Sequence, residues 1–478
     1  MNIFARPKQT RAGWTLSWGR PALFNNAALL SAVLLMGCAH APLNQPIEGK
    51  AALGYRIQYH MRPKERDDLL LVLLFSGGGT RAAALSYGVL RELKDTIINV
   101  DGHPGRLLDQ VDAISAVSGG AFTAAYYCAF GDDTFSSFES RFLKRDVQRG
   151  LLVRCLRPDN LERLSSSYYG RSDLAASYYD EILFHGKTFG GLAQIPSRPF
   201  LIINATDLST GGRFGFTQDN FDLIGSDLSQ FPISRAVAAS SAVPLFLTPV
   251  TLRNYSGPHQ IEEENVEPID LVLKDSLKQV LAEIGSYTDG NGRRYIHLVD
   301  GGVADNLGIR AFQDFTMLHG GLGGSLNHMQ LSHITKIAIV VVDASVRFGG
   351  ERDRSAAIPG TVSVLNAIAG GMLNRWNYVT TEVFRHSVEL WKLQVRAQRE
   401  SNAGAAKLDN LDFYLINVSF AGLGDQKDRS YFNAIPTGFA LRSETVDRIE
   451  NVGGSILRAD LEFRRLVKAL GAIPREDS

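Results

Sequence analysis

Three short stretches carry residue types that could do chemistry together. Ala116-Val117-Ser118-Gly119-Gly120 offers a hydroxyl nucleophile, Asp300-Gly301-Gly302 a carboxylate base, and Ser76-Gly77-Gly78-Gly79-Thr80-Arg81 a run of backbone amides. A nucleophile, a base and amides that can hold a developing negative charge are the parts of an acyl-transfer site. Each stretch alone is also an ordinary glycine turn. The order of the three along the chain is what gives them weight.

Each stretch closes an apolar run, which is how a strand delivers a residue to a sheet edge. Leu69 to Phe75 is continuously apolar, as expected of a strand covered on both faces, and leads through the glycines into a helix over Ala82 to Asp95. The amides of Gly77, Gly78 and Gly79 would then point into a cleft at a helix N-terminus, an oxyanion hole to which Arg81 adds positive potential or order. A phosphate-binding turn is the alternative for Gly77 to Ala82, but the Lys-Ser/Thr ending of a P-loop is missing and Ala82 stands where G-x-G-x-x-G has its last glycine. A second unit, Val111 to Val117, turns at Ser118 into a helix over Ala121 to Phe130, the setting of a nucleophile elbow, with Ala116 in place of the usual first glycine.

Asp300 ends the strand Ile296 to Val299 and should reach the same sheet edge as Ser118. His297 is the alternative base, but residues three apart on a strand face opposite ways, so His297 and Asp300 cannot both serve the site. With further strands at Phe200 to Asn204 and Ile337 to Val342, the pattern predicts an α/β fold: a mainly parallel central sheet with helices on both faces. Ser256 to Arg294 reads as an insertion or lid with an amphipathic helix over Ile269 to Ile284. Gly320 to His328, Arg347 to Gly360 and Arg396 to Asn410 read as loops, and Thr361 to Val395 and Thr445 to Leu470 as packing helices.

Composition narrows the function. The 478 residues are 45% hydrophobic and 21% charged with a formal net charge of +0, so the chain can bury a large core and lacks the basic excess of a nucleic-acid binder. The ten histidines are scattered and suggest no metal site, and nothing points to a cofactor. The first residues look like an export signal: Arg6, Lys8, Arg11 and Arg20 without an acidic residue, the apolar run Ala27 to Met36, then Gly37-Cys38. Leu35-Met36-Gly37-Cys38 resembles the lipobox of bacterial lipoproteins. That resemblance implies cleavage before Cys38, lipidation of Cys38 and, since Ala39 is not Asp, delivery to the periplasmic side of the outer membrane. Loss of residues 1–37 would leave 46 basic against 50 acidic residues and two thiols, Cys128 and Cys155, free or paired.

Taken in series, the glycine loop, the Ser118 elbow and the Asp300 turn resemble the patatin-like phospholipase family, whose members use a Ser-Asp dyad without histidine. Asn204 to Leu208, Ala239 to Pro244 and, more weakly, Ile435-Pro436-Thr437 and Val446-Asp447 belong to the same likeness. The departures are Ala116 in the elbow, Ala82 after Arg81, and Ser76 where an acidic residue is common. The resemblance implies a patatin-like three-layer fold and a catalytic domain over 69–345, containing the 256–294 insertion. Around it lie a signal peptide over 1–37, a tether over 38–68 and a helical and loop extension over 346–478. It implies hydrolysis of fatty-acyl esters in a membrane lipid, with Ser118 as nucleophile, Asp300 as base and no cofactor. An ordinary carboxyl pKa of about 4 would keep Asp300 ionised in mild acid unless burial raises it. A serine acyltransferase or peptidase would share the nucleophile, and a non-enzymatic acyl-chain-binding lipoprotein would need only the cleft.

Overall fold

A computed structural model describes residues 43–48, 54–60, 68–195, 197–244, 246–257, 271–331, 333–346, 356, 377, 379–393 and 411–472. Cys38 and the segments 258–270 and 394–410 lie outside them. Among the described residues the main sheet has eight strands: β1 (Leu69–Phe75), β2 (Val111–Val117), β3 (Phe200–Asp207), β4 (Arg213–Gly215), β5 (Val250–Arg253), β6 (Tyr295–Asp300), β7 (Lys336–Asp343) and β8 (Asp412–Ser419). Their spatial order is β8-β7-β1-β2-β3-β6-β5, with β4 paired to β3. Strands β8 through β3 run parallel, while β6, β5 and β4 are antiparallel to their neighbours. Central β1 is buried at every position, as its unbroken apolar sequence requires.

The principal helices are α1 (Gly79–Asp95), α2 (Ser118–Phe130), α3 (Val147–Cys155), α4 (Arg171–Tyr179), α5 (Ile233–Ser240), α6 (Leu271–Tyr287), α7 (Arg310–Leu318), α8 (Ser443–Ala459) and α9 (Leu461–Ala469). The fold is a mixed, mostly parallel sheet with helices around it. Helices α8, α1, α2 and α5 pack in sequence against one another. Residues 302–318 cover the face to which Ser115 points, where its hydroxyl donates to the Gly308 carbonyl at 2.8 Å. Both cysteines among the described residues are free thiols: Cys128 is buried in α2 and Cys155 is half-buried at the end of α3. No helix among the described residues is long and apolar enough to cross a membrane.

Several elements depart from the sequence reading. Both site helices start earlier than expected, α1 at Gly79 and α2 at Ser118, because the glycines themselves take up the first turn. Leu322–His328 is a short helix within a stretch read as a loop. Thr445 to Leu470 holds two helices, broken at Asp460, whose extended backbone and side chain cap α9 through the Phe463 amide at 2.9 Å. The part beyond residue 345 also supplies a sheet strand, β8, which pairs with β7 over eight residues. Its alternation is too irregular to stand out in sequence: Phe413, Tyr414, Ile416 and Val418 are buried, Asp412 and Asn417 exposed.

Helix α8 sits close on α1, the helix that begins at the glycine loop. A methyl group at Gly88 would overlap the Glu450 carbonyl of α8, so the crossing depends on a missing side chain. Gly88→Val should therefore destabilise the protein by about 1–3 kcal/mol, the usual cost of overpacking, read as a lower midpoint in thermal or denaturant melts. An unchanged midpoint would mean that α8 can back away without loss.

Candidate active site

Adjacent parallel strands bring the glycine loop to the elbow. Phe75 pairs with Ala116, so the chain leaves β1 and β2 side by side and both turns rise from one edge. Ser118 has a φ of 47°, left-handed for a residue with a side chain, which marks the sharp strand-to-helix reversal of an elbow. The strain is held by hydrogen bonds: the Ser118 amide donates to Ser240 Oγ at 2.8 Å, and Ser240 Oγ donates to the Asn204 carbonyl at 2.6 Å. Gly119 lies so close to Gly79 that any side chain there would strike the Gly79 backbone. The departures Ala116 and Ala82 are fully buried without disturbing this contact. Ser76 also keeps the loop in place: its hydroxyl accepts from the Ala344 amide at 2.8 Å.

Asp300 reaches the site by a route not foreseen from sequence. β6 is antiparallel to β3, pairing Asp300 with Ala205, so the carboxylate enters against the direction of the parallel strands and stops beside Ser118. Its backbone amide donates to the Ala242 carbonyl at 3.0 Å, and that of Gly301 to the Ser240 carbonyl at 3.1 Å. Oδ1 accepts from the Gly302 amide at 2.8 Å, whereas buried Oδ2 has no full hydrogen bond. Burial pushes the Asp300 carboxyl up to about 6, opposed by the Gly302 amide and by the neighbouring Ser118 hydroxyl. His297, three residues earlier, is exposed and pairs through Nδ1 with Thr251 Oγ1 at 3.0 Å. The period-two argument that separated it from Asp300 holds.

Two expected oxyanion groups are engaged elsewhere. The Gly77 amide donates to the Asn306 carbonyl at 2.9 Å and is not available to an oxyanion. Arg81 is buried and spent on structure: Nε donates to the Ala344 carbonyl at 2.9 Å, Nη1 to that of Ile435 at 2.6 Å, and Nη2 to Thr437 Oγ1 at 3.0 Å. Burial lowers its pKa to about 10, with Asp343 pulling the other way. Arg81 thus clamps the loop to the segment around Ile435-Pro436-Thr437, next to Gly438, whose carbonyl accepts from the Thr80 amide at 2.9 Å. The amides of Gly78 and Gly79 have no partner among the described residues, and both glycines have positive φ, 140° and 62°.

Asn306 was missed from sequence, and Ser240, within the Ala239 to Pro244 stretch of the family likeness, was given no role there. Neither belongs to a spacing pattern; each acts through backbone atoms or neighbours that only the fold supplies. Asn306 Nδ2 also reaches Ser345 Oγ at 3.5 Å. This contact links the site to a cavity of about 900 Å³ over the ends of β7 and β8, lined in part by Ile309, Ser345, Asn377, Phe384 and Leu415. Ser118 and Asp300 do not line that cavity. One group among the described residues has the spacing of a cation site, Glu139, Asp447 and Glu450. Lys144 bridges the first two at 2.6 and 2.7 Å and Arg91 pairs with Glu450 at 2.9 Å, so side-chain cations already hold the cluster.

Residues 73–312, half of the chain, match the family model of patatin-like phospholipases. The chain belongs to the patatin-like phospholipase family. Ser118, Asp300 and Gly77 to Arg81 lie inside the matched region. A search of curated proteins finds no match. Among solved structures, human GIVD cytosolic phospholipase A2 is similar at 11% identity over 94% of this chain and 64% of that one, with a TM-score of 0.39. Its complex with methyl gamma-linolenyl fluorophosphonate gives 11% identity over 94% and 64%, TM-score 0.40. The complex with that inhibitor and terbium chloride gives 14% over 89% and 64%, TM-score 0.38. The chain thus spans about 64% of the length of these structures.

The raised Asp300 pKa has a sign. A carboxyl that ionises near 6 when folded and near 4 when unfolded costs stability as pH rises through that window, by about 3 kcal/mol once fully ionised. Asp300→Asn should therefore be the more stable protein at pH 7 to 8, with the advantage gone below about pH 4. Denaturant melts across pH check this, and a destabilised Asn variant at neutral pH would contradict it.

Proposed function

We propose that this protein is a lipid acyl hydrolase of phospholipase A or lysophospholipase type that works through a Ser118–Asp300 dyad. The observation that carries the reading is the carboxylate oxygen Asp300 Oδ2, buried without a full hydrogen bond beside a hydroxyl on a strained elbow. Such an oxygen is costly to leave unpaired in a merely structural aspartate. It is well suited to take the proton of Ser118.

On this reading Asp300 removes the hydroxyl proton as Ser118 Oγ attacks the ester carbonyl. The free Gly78 and Gly79 amides hold the tetrahedral oxyanion, and the alcohol leaves carrying the proton. Water, activated in turn by Asp300, then releases the fatty acid from the acyl-serine. Gly77 and Arg81 support this geometry from behind. A transferase would hand the acyl group to another alcohol in place of water, a peptidase would attack an amide, and a binding protein would have no use for the dyad. The family membership favours the ester hydrolase.

A serine-directed phosphonate should label Ser118, and Ser118→Ala and Asp300→Asn should each abolish hydrolysis of a short-chain ester in a folded protein. His297→Gln should leave it intact, and Gly78→Ala should lower kcat about 100-fold with little change in KM. Because Asp300 is raised toward the imidazole range, the acid limb of the rate should fall near pH 6. That limb does not tell aspartate from histidine, so the mutants decide. Full activity in Asp300→Asn would overturn the dyad.

The same reading includes anchoring through a lipidated Cys38 on the periplasmic side of the outer membrane, supported by the signal-like sequence ahead of it. Cys38→Ala should release the protein from washed membranes. Equal retention of parent and variant, with equal processing, would remove the anchor from the proposal.

A further inference from the structure

Outside the site, apolar side chains are left in water on one part of the surface. On α3 Leu152 and Val153 are exposed, and Leu156, just past its end, is 73% exposed. Leu161 on the following helix, Pro158–Leu164, and Tyr168 beyond it are exposed as well. Positions 152, 153 and 156 share one face of a helix. Placing several large apolar groups together in solvent marks an interaction surface.

The charge around them is specific. Between Arg145 and Arg171 the chain carries six arginines and three acidic residues, although the protein as a whole is neutral. Arg145, Arg149, Arg157 and Arg163 are exposed. Exposed apolar side chains interspersed with exposed arginines along one segment are what an anionic bilayer attracts and partly absorbs.

The patch is also joined to the rim of the site from two sides. At the start of α3, the Val147 and Gln148 amides donate to the Phe439 carbonyl at 3.1 and 3.2 Å, next to Gly438, which holds the glycine loop through Thr80. Beyond Tyr168, the Ser172 amide of α4 donates to Thr248 Oγ1 at 3.2 Å. Thr248 belongs to the stretch that runs from Ala242, the acceptor of the Asp300 amide, past exposed Phe246.

We propose that the surface formed by α3, the helix Pro158–Leu164 and Tyr168 docks onto an anionic phospholipid bilayer, setting the rim of the Ser118 cleft against the lipid that supplies the substrate. This deepens the acyl-hydrolase reading and rests on it for the identity of the substrate, but the docking itself is measurable without turnover. Leu152, Val153, Leu156 and Leu161 enter the interfacial layer, while the arginines meet headgroup phosphates. The tether at Cys38 holds the protein near a membrane, and the patch orients it.

Two measurements on the full chain test this. In Leu156→Trp, brominated acyl chains in phosphatidylglycerol vesicles should quench fluorescence beyond that of the parent, and phosphatidylcholine vesicles should give several-fold less added quenching. In Leu152→Asp/Leu156→Asp/Leu161→Asp, hydrolysis of vesicle phosphatidylglycerol should fall about tenfold with short-chain ester turnover unchanged. No added quenching in either lipid would overturn the docking surface, as expected if the patch instead meets a protein or a second copy of this chain. Equal quenching in both lipids would overturn its charge selectivity. Equal losses on soluble and vesicle substrate would overturn its role in delivery. Added quenching in a parent that hydrolyses neither substrate would leave the docking surface standing and sink the acyl-hydrolase reading.

Discussion

Backbone meets backbone where the glycine loop and the elbow leave neighbouring strands, and the rest of the site hangs on that approach. Gly79 and Gly119 touch with no room for a side chain on Gly119. The close approach packs the start of α1, at Gly79, against the start of α2, at Ser118 and Gly119. Such a contact has little intrinsic strength, so it must be held from outside. Arg81 does much of this, converting a buried charge into three hydrogen bonds that span the loop, the end of β7 and the 435–437 segment.

That arrangement explains why residues far along the chain matter to a site built near its first third. β8 pairs along β7, α8 packs on α1, and Gly438 accepts from Thr80. The C-terminal residues are thus part of the wall behind the glycine loop. A buried cation without a full ion pair is costly, and Arg81 is tolerated because carbonyls and a hydroxyl surround it, with Asp343 adding favourable potential.

On the other side of Ser118, Asp300 is set by a different device. β6 reverses the direction of the sheet, and its end is pinned through Ala242, Ser240 and Thr206, whose hydroxyl donates to the Asp300 carbonyl at 2.8 Å. The carboxylate is therefore positioned by its backbone while one of its oxygens stays free of full hydrogen bonds. Its raised pKa follows from burial with few compensating donors.

Much of this was legible in the sequence. The apolar run Leu69–Phe75 and the mostly apolar Val111–Val117, each ending in a glycine turn, predicted β1 and β2, and the types and order of Ser118 and Asp300 pointed to two side chains that the fold sets side by side. Period-two geometry removed His297. Sequence alone did not tell which amides are free, since Gly77 is spent on Asn306 and Arg81 on carbonyls more than 250 residues away. Nor did it tell that Asp300 arrives on an antiparallel strand, that β8 completes the sheet, or that Ser240 braces the elbow. The physical reason is one of range. Local patterns report what each residue can do and which face it takes, whereas hydrogen-bond partners, burial and hence pKa are set by segments distant in sequence that only tertiary packing brings into contact.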